Sequence, residues 1–326
     1  MRGLLLCLVV VAGCGQGDPD AAEAAPSGAG TCRPAAEGWS FEKLGPVRGL
    51  PEPAAAGEGA LSPAVVVHGD VLHLWYAEKT AASGYAMMHA ESRDGGATFA
   101  PPARVTGLAA GTIAAYPSVW LEGDTFQLLY GSGSFKRASS PDGVHFTLAP
   151  TSVMTAGTDP ARFDGRSILY PSVVHDAGVA TLFFTGFDGQ RLRIGRATAG
   201  ADGRFSPDPP LPVIDVGAAS AFDNRSVAQP HVARVGSRWW MWYGGYDTAA
   251  ANPGPYRIGS ASSADGITWE KHGVALQLSA QGTDAWSTRD PALVVARGRW
   301  LMFYVGMGDD GRYRLHRAAS DVCATE

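Results

Sequence analysis

The sequence predicts an all-β fold, a five-bladed β-propeller in which the N-terminal segment supplies the outer strand of the last blade. Three observations carry this expectation. Pro63, Pro117, Pro171, Pro230 and Pro291 each open a short apolar run, at intervals of 54, 54, 59 and 61 residues. After each comes a small polar turn and a second run: DVLHLWYAE (70–78), DTFQLLYGS (124–132), GVATLFFTG (178–186), SRWWMWYGG (237–245) and GRWLMFYVG (298–306). Repeats of this length, each made of several β-rich runs, fit propeller blades. Finally, the last repeat stops after three strands at YRLHRAASD (313–321), while GWSFEKLGPV (38–47), ahead of the first repeat, looks like ITWEKHGVAL (267–276) of the fourth. Placing the N-terminal segment in the missing position closes the ring and leaves no bare sheet edge.

The chain divides into residues 1–13, 14–31 and 32–326. Arg2 and the apolar stretch Leu4 to Ala12, too short to span a bilayer, read as an export signal. It closes with Val11-Ala12-Gly13-Cys14, which resembles the lipobox of bacterial lipoproteins. That resemblance implies cleavage before Cys14 and a lipid on its sulfur, anchoring an exported protein to a bacterial membrane; ordinary secretory cleavage is the alternative. Residues 15–31 (GQGDPDAAEAAPSGAGT) are small and polar and read as a flexible tether. Cys7 leaves with the signal. Cys32 and Cys323 then stand at the two ends of the folded region, where an oxidising compartment permits a disulfide across the closure; two free thiols are the alternative.

Within a blade, four strands are legible. The fourth blade shows QPHVARV (229–235), SRWWMWYGG, YRIGSAS (256–262) and ITWEKHG (267–273). The third strand and its turn recur as LRIGRATAGADGRF (192–205), FKRASSPDGVHF (135–146) and YAMMHAESRDGGATF (85–99). The Asp-Gly turns between strands read as structural, because the carboxylate bonds its own turn and glycine takes the left-handed conformation. Net charge is −5, with four lysines among 26 basic residues and the arginines scattered. Without a basic stripe no nucleic-acid partner is expected; membrane contact is expected only through the lipid, and the chain is expected to be a monomer.

A propeller opens a funnel on the face where the innermost strands begin. Ser62, Tyr116, Tyr170, Gln229 and Asp290 stand just before the repeated prolines. Asp164, Asp223 and Asp284 each lie seven residues before a proline, with Arg166 and Arg225 in equivalent places in FDGRS (163–167) and FDNRS (222–226). The ends of the second runs add Glu78, Asp188, Asp247 and Asp309. Tyrosines, arginines and carboxylates converging on a funnel suit a carbohydrate, whose hydroxyls need donors and acceptors beside stacking faces.

The PSVW, YPSVV, QPHV and RDPAL strand openings and the WMWYGG and RIGSASSADG strings resemble the propellers of glycoside hydrolase families 32, 43, 62, 68 and 130, over residues from about 38 to 321. Such enzymes use a pair of carboxylates. Arg289-Asp290-Pro291 resembles the Arg-Asp-Pro motif of family 32, which implies that Asp290 stabilises the transition state. The base position of the preceding blade is Gln229, an amide. Glu78 is the candidate acid, and Asp223 or Asp164 would supply a third carboxylate; both aspartates read equally as loop braces. Arg289, Tyr116, Tyr170, Gln229 and His231 would position the sugar, with Arg225, Arg166, Asp164, Asp247 and Asp188 around them. No cofactor is expected, although His231 facing the axial channel allows a hydrated calcium ion as in some family 43 members. SRDGGATF (92–99) also fits the sialidase box, without the rest of that pattern. The resemblance thus implies a glycoside hydrolase-like enzyme; the alternatives are a non-catalytic glycan-binding lipoprotein and a scaffold for protein partners.

Overall fold

The structure is a computed structural model that describes residues 39–320, except 83, 177 and 248–254. Cys14, Cys32 and Cys323, read as the lipid site and a disulfide pair, lie outside the described residues.

No helix occurs among the described residues; they form strands in antiparallel groups of four. The chain begins with β1 (Phe41–Pro46), then β2 (Gly59–His68), β3 (Val71–Thr80), β4 (Gly84–Ser92) and β5 (Ala103–Arg104). A second group is β6 (Ser118–Glu122), β7 (Thr125–Tyr130), β8 (Ser134–Ser140) and β9 (Thr147–Thr155). A third is β10 (Ser167–Asp176), β11 (Val179–Phe187), β12 (Leu192–Ala199) and β13 (Phe205–Pro207). A fourth is β14 (Ser226–Val235), β15 (Arg238–Tyr246), β16 (Arg257–Ser263) and β17 (Glu270–Leu276). Then come β18 (Ser287–Ala296), β19 (Arg299–Met307) and β20 (Tyr313–Ser320). Each group is a meander, and the first strands β2, β6, β10, β14 and β18 neighbour one another in a closed ring.

The closure follows the sequence expectation. β1 pairs antiparallel with β20, Phe41 opposite Ser320, so the N-terminal segment completes the last blade. A single parallel bridge, Gly59 to Tyr313, joins this blade to the first. Gly59 permits that approach: its φ is +123°, and a Cβ there would collide with the Tyr313 carbonyl. Trp39 seals the seam, edge-on to Trp242 at 4.8 Å and to Trp240 and Trp300 at 5.6 Å each, and stacked on Phe41 at 5.9 Å. These rings belong to a buried cluster between the fourth and last blades. The second strands supply most of the core because both of their faces are covered; Leu74, Leu128, Leu182, Met241 and Met302 are fully buried.

One backbone feature builds the site. Ser62, Tyr116, Tyr170, Gln229 and Asp290 all adopt left-handed φ, between +50° and +61°, although none is glycine. In four blades the residue pair falls in a β-bulge, between Leu61 and Ala64, Leu169 and Ser172, Ala228 and His231, and Arg289 and Ala292. Proline has no N–H for the ladder, so the strand tolerates it at a bulge, and a bulge re-aims the side chain before it. Each left-handed residue costs about 1–3 kcal/mol, and such strain persists where the surroundings over-determine it. Repeated in every blade, it delivers one side chain per blade to the axis.

Candidate active site

The five re-aimed side chains line one axial pocket, together with His231 and the prolines that follow them. Asp290 is its focus. The backbone N–H and Oγ of Ser62 both donate to Asp290 Oδ2, at 2.9 and 3.2 Å. Arg289 Nε donates to Oδ1 at 3.2 Å, and Arg289 Nη2 donates to the Tyr170 hydroxyl at 3.1 Å. The Asp290 N–H donates to Gln229 Oε1 at 3.3 Å, and the Gln229 N–H to Thr185 Oγ1 at 2.9 Å. Both Asp290 oxygens are thus occupied by protein donors.

Aromatic rings surround this pair. Tyr116 and Tyr170 meet at 4.2 Å between centroids, Tyr85 lies 6.5 Å from Tyr116, and the Arg289 guanidinium sits 4.6 Å over the Tyr256 ring. Burial would drive Arg289 towards neutrality, but Asp290 and the tyrosines hold it well above its ordinary range, so it stays charged. Burial, reinforced by the Asp290 charge, pushes the Tyr116 and Tyr256 phenols up to about 12 and that of Tyr170 well above its ordinary value. At neutral pH these phenols are protonated and present O–H groups, not phenolates.

The structure therefore brings Asp290, Arg289, Tyr116, Tyr170, Gln229 and His231 together. Glu78 and Asp223, expected with Asp290 as a catalytic set, are not among the residues that line this pocket. Glu78, near the top of β3, opens into a separate groove with Pro51, Pro53, Glu58 and Tyr76. Asp223 Oδ2 accepts from Lys271 Nζ at 2.7 Å and from the Tyr243 hydroxyl at 2.9 Å, away from the axis. Asp164 is held by Arg162 through two bonds of 2.8 and 2.9 Å, and Asp284 by Lys43 at 2.6 Å and Tyr304 at 2.8 Å. All three are buried, and each braces the loop leading into an inner strand. Asp188 caps the Gln190 and Arg191 N–H groups and pairs with Arg193 at 2.9 Å; Asp247 pairs with Arg257 at 3.1 Å. Arg166 and Arg225 are exposed ahead of their inner strands.

His231 does not face the channel as an open ligand. Its Nε2 accepts the Leu293 N–H at 3.3 Å, which puts the ring proton on Nδ1. Burial lowers its pKa to about 4, as it does for His316 in the last blade. A folded-state pKa below the unfolded 6.5 means that the unfolded chain binds more protons between pH 6.5 and about 4. Stability is therefore complete above pH 6.5 and falls through that window; thermal melts across it should decline towards the acid side, and His316→Gln should flatten the decline.

Several site residues were missed in the sequence. Tyr85, Tyr256 and Tyr313 occupy one equivalent position, the opening of the third strand in the first, fourth and last blades, and they crowd around Arg289. Trp286 stands five residues before Pro291, as Arg166 and Arg225 stand before Pro171 and Pro230, and it is 39% exposed. In all three the backbone N–H bonds across to the second strand (Arg166 to Phe187, Arg225 to Tyr246, Trp286 to Met307). Aligning DAWS (284–287) with the FDGRS and FDNRS strings would have revealed it.

Among solved structures, the fold matches propeller-type glycoside hydrolases. One described as a glycoside hydrolase aligns with a TM-score of 0.70 at 16% identity, over 90% of this chain and 95% of that one. An α-L-arabinofuranosidase from Podospora anserina, solved with cellotriose, aligns with a TM-score of 0.66 at 15% identity, over 88% and 98%. The catalytic domain of a family 62 α-L-arabinofuranosidase from Coprinopsis cinerea gives 0.64 at 14% identity, over 88% and 99%. A family 32 β-fructofuranosidase and a family 43 enzyme match as well. No family model matches the sequence. A protein of Mycobacterium tuberculosis described as uncharacterised is 25% identical over 218 residues, 62% of this chain and 71% of that protein. The chain thus has the architecture of these glycoside hydrolases.

Proposed function

We propose that the chain is a glycan-binding protein on a glycoside hydrolase scaffold, one that holds a sugar in the axial funnel without cleaving it. The observation that carries this reading is the state of Asp290. It is the single carboxylate lining the axial pocket among the described residues, and Arg289 and Ser62 already occupy both of its oxygens. Glycoside hydrolysis with a carboxylate pair requires two such groups across the sugar, about 5–10 Å apart. The sequence of residues 248–254, TAAANPG, holds no carboxylate. A phenol does not substitute as nucleophile, because the tyrosines here are held protonated. What the funnel offers instead is recognition: neutral phenol donors, a fixed guanidinium, a glutamine amide and stacking faces, with Trp286 and two arginines ahead of the inner strands. The scaffold alternative is less well supported, since the exposed large apolar residues (Ile113, Leu148, Val179, Leu211, Ile267, Trp286 and Val295) are spread over four blades.

The test is a titration against a panel of oligosaccharides, with tryptophan fluorescence reading binding. Tyr170→Phe deletes the hydroxyl that meets Arg289 and should weaken binding roughly tenfold, the worth of a bond to a charged group. Glu78→Gln, altered in the separate groove, should leave affinity unchanged. Binding that depends on Glu78 and ignores Tyr170 would place the sugar elsewhere and overturn the reading.

A further inference from the structure

The opposite face of the ring carries a second, unrelated cluster. Four of the eight histidines of the chain (His68, His73, His89 and His145) lie at the far ends of the first two blades, where the hairpin turns fall. His73 on β3 is directly opposite Glu91 on β4, and His89 lies two residues before Glu91 on the same strand face. Their side chains converge. His73 Nδ1 and His89 Nε2 are 3.0 Å apart, Glu91 Oε1 is 3.8 Å from His73 Nδ1, and the three ligand atoms lie within 4.8 Å of one another. It is the one such triad found among the described residues.

We propose that His73, His89 and Glu91 form a binding site for a zinc-class divalent cation, with three protein ligands and a fourth position open to water. The geometry is near that of the bound state. At metal–nitrogen distances of about 2.0–2.1 Å, two ligand atoms on a tetrahedral ion stand about 3.3 Å apart. The histidine nitrogens need to part by about 0.3 Å, and the carboxylate oxygen needs to close on His73 by about 0.5 Å and on His89 by at most about 1.5 Å, all within reach of side-chain rotation. A hydrogen bond between the two imidazoles accounts for their contact, but it leaves the Glu91 carboxylate facing them beyond bonding distance; a cation satisfies all three.

Donor chemistry and packing agree. Two imidazoles and one carboxylate select a borderline cation over calcium, which takes six or more oxygens. Both histidines are buried, while the Glu91 side chain is 43% exposed, giving an ion a path in. Burial lowers the pKa of His73, and that of His89 to about 4, so both rings are neutral at physiological pH; the accepting nitrogen already presents its lone pair, and the donating ring needs only to exchange tautomers. Trp75 stacks beside His73 and donates to the Gly143 carbonyl of the second blade at 2.8 Å, holding the hairpin against its neighbour. An ion here would tie β3 to β4 where the first blade meets the second.

The experiment titrates zinc into the untagged full chain after chelator treatment, by calorimetry and by thermal melting, with calcium alongside. One zinc per chain with a raised melting temperature, no response to calcium, and affinity weakened roughly tenfold or more by Glu91→Gln and by His89→Gln, is the expected result. His145→Gln should change nothing. Because His89→Gln alters a buried ring, the exposed Glu91→Gln carries the decision. Absence of saturable zinc binding, or full-affinity binding retained in a folded Glu91→Gln chain, would overturn the site.

Discussion

Trp39→Ala should lower the stability of the propeller by about 3–5 kcal/mol, the usual cost of truncating a buried large aromatic. Trp39 is 7% exposed and touches three other tryptophans from the fourth and last blades. Its removal opens a void at the one seam where the ring is closed by strands remote in sequence, β1 and β20. Loosening β1 also bares the edge of β20, a template for pairing with other chains. The expected result is a melting temperature several degrees lower, with aggregation setting in at the transition. Phe126→Ala, a comparable truncation where the second blade packs against Trp75 and His73 of the first, supplies the comparison: it should destabilise the fold without baring a strand edge or promoting aggregation. A Trp39→Ala chain that melts like the parent would mean that the N-terminal strand does not close the ring.

Arg289→Ala should weaken glycan binding roughly a hundredfold or more, because the guanidinium that orders Asp290, Tyr170 and Tyr256 around the funnel is lost. The substitution also leaves Asp290, only 4% exposed, with Ser62 as its remaining side-chain donor, so some loss of stability accompanies it. Arg289→Lys should not restore binding. A lysine has one nitrogen, whereas Arg289 uses Nε for Asp290 and Nη2 for Tyr170 while its flat face rests on Tyr256. Affinity by calorimetry on the three chains separates these outcomes, and rescue by lysine would reduce Arg289 to a simple charge.

The fold was legible because its signals are local and repeated. A proline that cannot donate to a ladder must sit at a bulge, and its recurrence marks the inner strands; alternating apolar runs mark the second strands. The site was legible in part for the same reason: the residue before each proline is swung to the axis, so Tyr116, Tyr170, Gln229 and Asp290 could be named together. Two kinds of information were not local. Whether a loop aspartate faces the funnel or a neighbouring strand depends on who stands across from it, and Asp223 finds Lys271 on β17, 48 residues on. Glu78 looked eligible from its strand position, but it lines a groove shared with Pro51, Pro53 and Glu58, residues remote from the repeat that named it. Tyr85, Tyr256 and Tyr313 open their third strands in plain view, but nothing in a strand's own pattern shows that its opening meets Arg289 of the last blade. The histidine triad joins β3 to β4 across a hairpin, and no spacing in one run announces it.

Sugar release separates a funnel that only binds from one that cleaves. The chain from Thr31 onward would be incubated with polysaccharides and aryl glycosides at concentrations that saturate binding, beside Asp290→Asn. Saturable binding with no release above buffer is the expected result, with at most a modest change in affinity in the variant. Release by the parent chain that collapses in Asp290→Asn would contradict it and make Asp290 a catalytic carboxylate.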